Sequence, residues 1–173
     1  MIKNYILLFF FFAFQSVSSQ EALNVFDVAR KGTVEQAKAL HQQDPHIFNT
    51  VNEAGYSPLI LACYRGNNEV AQFLIENGSD VNGSSSMGTP LMAAVVKGNI
   101  PVVKMLLSKK AAIDLADANG ITPLIYAVQF NNVALTKLLL DYKADKTKVD
   151  KSGKTAFEYA TFSGNETLIN LLK

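Results

Sequence analysis

One phrase is written four times in this chain of 173 residues, and it leaves little freedom in how the chain can fold. It opens at Gly55 as "GYSPLILACYRGN", at Gly88 as "GTPLMAAVVKGN", at Gly120 as "GITPLIYAVQFNN" and at Gly153 as "GKTAFEYATFSGN". The dipeptides Ser57-Pro58, Thr89-Pro90, Thr122-Pro123 and Thr155-Ala156 follow one another at steps of 32, 33 and 33 residues. Gly66, Gly98, Asn131 and Gly164 keep the same steps, as do Leu74-Ile75, Leu106-Leu107, Leu139-Leu140 and Leu172. Three markers in register define an internal repeat of about 33 residues.

Each unit carries its own folding instructions. Ser57, Thr89, Thr122 and Thr155 suit a helix N-cap, because a hydroxyl can accept an otherwise unpaired amide of the first turn. Proline stands at the next position in three of them, where its missing amide proton is not needed. A short apolar helix follows and stops near Gly66, Gly98 or Gly164, with Asn131 in the same place. A second helix repeats apolar residues at helical spacing, as in Val70, Phe73 and Leu74 or Val102, Met105 and Leu106. Small residues recur at Ala62, Ala94, Ala127 and Ala160, where helices must come close. A single helix pair cannot bury its own apolar side, so successive pairs are expected to stack and bury it jointly.

The stretch "EAGYSPLILACYRGNNEVAQFLIENGSDVN", from Glu53 to Asn82, resembles the ankyrin-repeat family closely. The resemblance extends over nearly all the chain beyond residue 19. It implies an all-α repeat solenoid of stacked helix–turn–helix units joined by β-hairpin-like turns. Units are expected at 52–82, 83–115 and 116–148, between an N-terminal capping repeat at 20–51 and a C-terminal one at 149–173. Two departures stand out. The family's histidine after Pro-Leu, which ties the turn backbone together, is replaced by Ile60, Met92, Ile125 and Glu158, so these turns are expected to be looser or otherwise packed. The second unit also lacks one residue before Thr89, which accounts for its step of 32.

The first twenty residues, "MIKNYILLFFFFAFQSVSSQ", stand apart from the repeat. A single early cation, Lys3, is followed by ten apolar positions from Tyr5 to Phe14 and a polar stretch with small residues. That order is expected of a secretory signal at 1–19, cleaved after Ser19, since a membrane-spanning helix needs roughly 20 apolar residues. An uncleaved anchor is the alternative. The sequence wording and cleavage region resemble an exported protein of a Gram-negative bacterium, which places the product in the periplasm or outside the cell.

Losing 19 of the 173 residues would leave 154, with 15 basic and 15 acidic side chains. A balance near zero offers no general attraction to nucleic acid or to an anionic membrane. With Cys63 as the single cysteine, no intramolecular disulfide can form, and the fold must hold by packing.

Little in the sequence points to catalysis. His41, Asp44 and His46 lie close together, but no third strong ligand is near and Pro45 interrupts the helix that would align them. They are expected to be exposed residues at a helix end. Cys63 takes the place of Val95, Val128 and Thr161 in other units, as a small packed residue without a neighbouring base. No histidine or carboxylate is placed to activate the serines of "GSSSMG". No enzyme, metal or cofactor is expected.

The resemblance implies instead a non-catalytic adaptor, monomeric, whose concave face binds another protein. Partners of such stacks meet the turn tips and the exposed ends of the first helices. On this chain those positions include Tyr56, Met87 and Ile121 at the tips, and Arg30, Lys31, Tyr64, Arg65, Lys97, Phe130 and Phe162 on the helices. Aromatic residues and arginine concentrate binding energy at interfaces. An amphipathic or acidic-aromatic segment would suit such a face. A protective partner of a periplasmic enzyme and a secreted effector that meets a host protein are the alternatives.

Overall fold

A computed structural model describes residues 23–86 and 88–173. The expected signal at 1–19 and the candidate Met87 lie outside the described residues. Ten α-helices are described, in five consecutive pairs. They are α1 (Val25–Lys31) with α2 (Val34–Gln43), α3 (Pro58–Arg65) with α4 (Asn68–Glu76), and α5 (Pro90–Val96) with α6 (Ile100–Ser108). The last four are α7 (Pro123–Gln129) with α8 (Val133–Asp141), and α9 (Ala156–Ser163) with α10 (Glu166–Leu172). A 3-10 turn, Ile47–Asn49, follows α2.

The first helices start where the hydroxyls stand. Ser57, Thr89 and Thr122 each accept the backbone amide three residues on at 3.3 Å, with Pro58, Pro90 and Pro123 in the first turn. Thr155 has no proline after it, and Glu158 compensates by accepting the Thr155 amide in a capping box. The helices stop in the left-handed region, at Gly66 with φ 75° and at Asn131 with φ 56°.

Stacking runs through the first helices, α1 on α3, α3 on α5, α5 on α7 and α7 on α9. The second helices form the other layer, with α2 on α4, α4 on α6 and α8 on α10. Between the layers lies one continuous apolar core. Leu59, Leu91 and Leu124 are fully buried there, each contributing roughly 1.5–3 kcal/mol by leaving water. Ala62, Ala94, Ala127 and Ala160 have no exposed surface, as close helix approach requires. Gly32 serves the same end between α1 and α2, since a Cβ there would stand 2.6 Å from the Val28 Cα.

Polar ties join one unit to the next. Asn67 Nδ2 donates to the Gly32 carbonyl at 3.0 Å, and Asn165 Nδ2 to Asn131 Oδ1 at 3.0 Å. Along the loops after the second helices, Asn49 Oδ1 accepts the Asp80 amide, Asn82 Oδ1 that of Ala112, and Asp114 Oδ1 that of Asp145, at 2.7–2.9 Å. The same kind of bond recurs at the first three of the four joints because the same loop recurs there.

The expectation of β-hairpin-like turns is overturned. The described residues contain no β-strand, only an isolated antiparallel bridge between Ser85 and Gly88. The reason is that each tip satisfies its own backbone. Asp117 Oδ1 accepts the amides of Asn119 and Ile121, and the Asp117 amide donates to the Ile121 carbonyl. Asn52 and Asp150 do the same in their own tips. Adjacent tips are joined by a bond from the Lys151 amide to the Asn119 carbonyl, where a ladder would need a run of them. The Ser85–Gly88 bridge falls in the unit that is one residue short, whose tip closes more tightly. These side-chain acceptors also answer the missing histidine in the first and third tips, where Ile60 and Ile125 are buried in its place and the turn is tied from its first residue.

Candidate functional site: a groove across α3, α5 and α7

A single repeat position explains an apolar concavity of the first-helix layer. It is Leu61 in α3, Ala93 in α5, Tyr126 in α7 and Tyr159 in α9. Where the neighbours carry large side chains, α5 carries a methyl group, and Val96 one turn later is again smaller than Tyr64 or Phe162. A groove of about 350 Å³ opens over Ala93 and Val96. Ile60, Leu61, Tyr64 and Arg65 form one wall, together with Tyr56 from the preceding tip. Tyr126 and Phe130 form the other, and Met92 lies beneath.

Side-chain contacts hold both walls. The rings of Tyr126 and Phe130 stack at 6.4 Å with an interplanar angle of 21°. Tyr126 also donates its hydroxyl to Asp117 Oδ2 at 2.7 Å. Burial, reinforced by that carboxylate, pushes its phenol up to about 12. The Arg65 guanidinium stands 6.0 Å from the centroid of the Tyr64 ring. At 49% and 55% exposure, Tyr64 and Phe130 are surface residues rather than core.

Four of the ten residues singled out from the sequence therefore meet in this groove: Tyr56, Tyr64, Arg65 and Phe130. Lys97 lies beside it, its Cε 3.1 Å from where a Cβ on Gly66 would be. Arg30 is drawn away into an ion pair with Asp27 at 2.9 Å, and Lys31 lines a separate depression with Leu23 and Gly32. Ile121 packs half-buried against the core. Phe162 is 77% exposed in the last unit, with the Lys154 ammonium 4.9 Å from its ring centroid. Sequence reasoning placed Val96 on this face but missed Ala93 and Tyr126. The signal was present in the aligned column Leu61, Ala93, Tyr126, Tyr159, since a small residue among large ones leaves space.

Groups with chemical potential lie elsewhere. Cys63 has no exposed surface, and burial pushes its thiol up to about 12, which leaves it unreactive. His41 differs from the expected exposed helix end. Its ring lies flat on Phe48 at 5.0 Å and edge-on to Phe73 at 6.2 Å, because α2 faces α4 at this point. His46 is exposed. No group of three or more His, Cys, Asp or Glu among the described residues could hold a metal ion. No described helix is long and apolar enough to cross a membrane.

Helix pairs capped by Thr-Pro corners, stacked in two layers and tied joint by joint, define a repeat solenoid that presents a surface. The family model described as ankyrin repeats (3 copies) matches residues 25–117 and 109–173, and the chain belongs to the ankyrin-repeat family. That fold generally serves as a scaffold for protein–protein interaction. The chain is 35% identical over 101 residues to rat (Rattus norvegicus) ankyrin repeat and SAM domain-containing protein 6, covering 57% of this chain and 11% of that protein. It is 33% identical over 90 residues to BTB/POZ domain-containing protein 3 of Schizosaccharomyces pombe, covering 52% and 17%. A Borreliella burgdorferi protein named for its ankyrin repeats is 37% identical over 68 residues, covering 39% and 31%. The match thus spans less than a third of each of these relatives.

The expected periplasmic or secreted location is overturned by these comparisons. The relatives are named for SAM and BTB/POZ domains, for a corepressor and for ubiquitin ligation, not as periplasmic or secreted proteins. Most are eukaryotic, so a bacterial origin draws no support from them either.

Proposed function

We propose that this chain is a non-catalytic interaction module, acting as a monomer, whose concave face binds a protein partner through the groove over Ala93 and its rims. The observation that carries this reading is the exposure of Tyr64 and Phe130 on either side of an apolar groove. Isolated exposed apolar residues are ordinary, but two rings flanking an apolar depression together with an arginine have the composition of an interface hot spot. The wider surface follows the tips and first helices, with Arg30, Lys31, Lys97, Ile121 and Phe162 as outlying contacts and Met87 at the second tip. Near-zero net charge supports a protein partner over nucleic acid. Both alternative roles named from the sequence presuppose export and are set aside with it.

The triple variant Tyr64→Ala, Arg65→Ala, Phe130→Ala tests the reading. Affinity capture with the full chain should recover a partner that the triple variant loses, while the melting temperature stays within about 5 °C because all three side chains are exposed or at the rim. Undiminished capture, or a collapse in stability, would return these residues to a structural role.

A further inference from the structure

The groove has a polarity that its apolar lining conceals. Among the described residues that line it, Arg65 is the one charged side chain. Arg65 makes no ion pair within the described chain and is held over its neighbour Tyr64 by a cation–π contact. Lys97 adds a second cation at the same end, next to Gly66. The carboxylate that holds the opposite wall, Asp117, is already occupied by the Tyr126 hydroxyl and the amides of its own tip. One end of the groove is therefore cationic, and no acidic side chain lines it to compensate.

Resting on the reading of this face as a binding surface, we propose the chemistry of its occupant: a segment of another protein that seats a bulky apolar side chain over Ala93 and sets an Asp or Glu against Arg65. The volume of about 350 Å³ accommodates one large side chain and the start of the next, and lies at the lower end of the range for ligand pockets. A guanidinium pre-oriented over a ring offers a carboxylate two parallel hydrogen bonds, which a lysine could not. Charge complementarity at one end and shape at the other fix both the identity and the direction of the bound segment.

A random peptide library displayed on phage and selected on the full chain tests this, with labelled selected peptides then titrated by fluorescence anisotropy. Enriched peptides should pair an aromatic or Leu-sized residue with an Asp or Glu within about one helical turn. Ala93→Leu, which copies the residue that α3 already carries at this position, should weaken them about tenfold or more by filling the groove. Arg65→Glu should weaken the acidic peptides about tenfold and favour versions with Lys in place of the acid. Peptides sensitive to Ala93→Leu but indifferent to acidity would overturn the proposed chemistry while leaving the binding face intact. No enrichment, or enrichment indifferent to Ala93→Leu, would overturn the site itself, and capture by the triple variant would judge the interaction role separately. A dimer in sedimentation that Ala93→Leu dissolves would name a second copy as occupant and would also overturn it.

Discussion

Tyr126 and Asp117, nine positions apart, are joined side chain to side chain, the phenol donating to Oδ2 at 2.7 Å while Oδ1 of the same carboxylate gathers the amides of Asn119 and Ile121. One unit later Tyr159 and Asp150 repeat the arrangement at 2.5 Å. A turn tip and the helix behind it thus share one carboxylate, which fixes the orientation of a groove wall.

Replacing Tyr126 with Phe should lower unfolding free energy by about 1 kcal/mol, the lower end for a bond to a charged acceptor because the site is partly solvated. A double-mutant cycle with Asp117→Asn isolates the pair, and independence of the two changes would refute the coupling. The phenol is raised in the folded state, so its contribution is present below the unfolded value of about 10 and lost as pH rises through about 12. Urea unfolding of Tyr126→Phe should accordingly show a shallower alkaline decline than the parent.

Asn67 differs from Asn99, Asn132 and Asn165. Those three side chains cap their own second helices, whereas Asn67 makes no cap bond and donates to the Gly32 carbonyl of the first pair. Asn67→Ala should release α1 and α2 at a cost of about 1 kcal/mol, because a stack is held by nearest-neighbour joints. Hydrogen exchange should accelerate in α1 and α2 and stay unchanged in α7 and α8. A uniform change along the chain would contradict this.

Lys110 and Lys143 occupy the left-handed region, with φ of 63° and 69°, at the position where the preceding unit has Gly78 with φ 86°. Glycine there relieves about 1–2 kcal/mol of steric conflict and returns part of it as unfolded-chain entropy. Lys110→Gly and Lys143→Gly should each raise stability by about 0.5–1 kcal/mol in denaturant titration. Lys110→Ala serves as control and should change little.

His41 Nδ1 is buried without a hydrogen-bond partner, between the rings of Phe48 and Phe73. His41→Phe keeps the stack and removes the unsatisfied nitrogen, so stability should rise by about 1 kcal/mol. A lower melting temperature in the variant would show that hydration of the other ring nitrogen outweighs it.

Most of the architecture was legible because its signals are local. A hydroxyl before a proline, a glycine or asparagine nine residues later and an alanine at each crossing specify helix pairs irrespective of distant contacts. The tips misled for an equally local reason: their spacing suits hairpins, but whether backbone groups pair across tips or within one depends on where a single carboxylate points. His41 misled because its cover comes from beyond its own helix: Phe48 from the turn after α2 and Phe73 from another unit.

The order of helices, their caps and the burial of their apolar stripes were settled by the chain's own wording, since each depends on residues within one repeat. Only the tertiary stack decided that Ala93 would become the floor of a groove and that Arg65 would face it without a counter-ion. Both are relations between units, and a one-dimensional text states each unit without stating what the next one leaves empty.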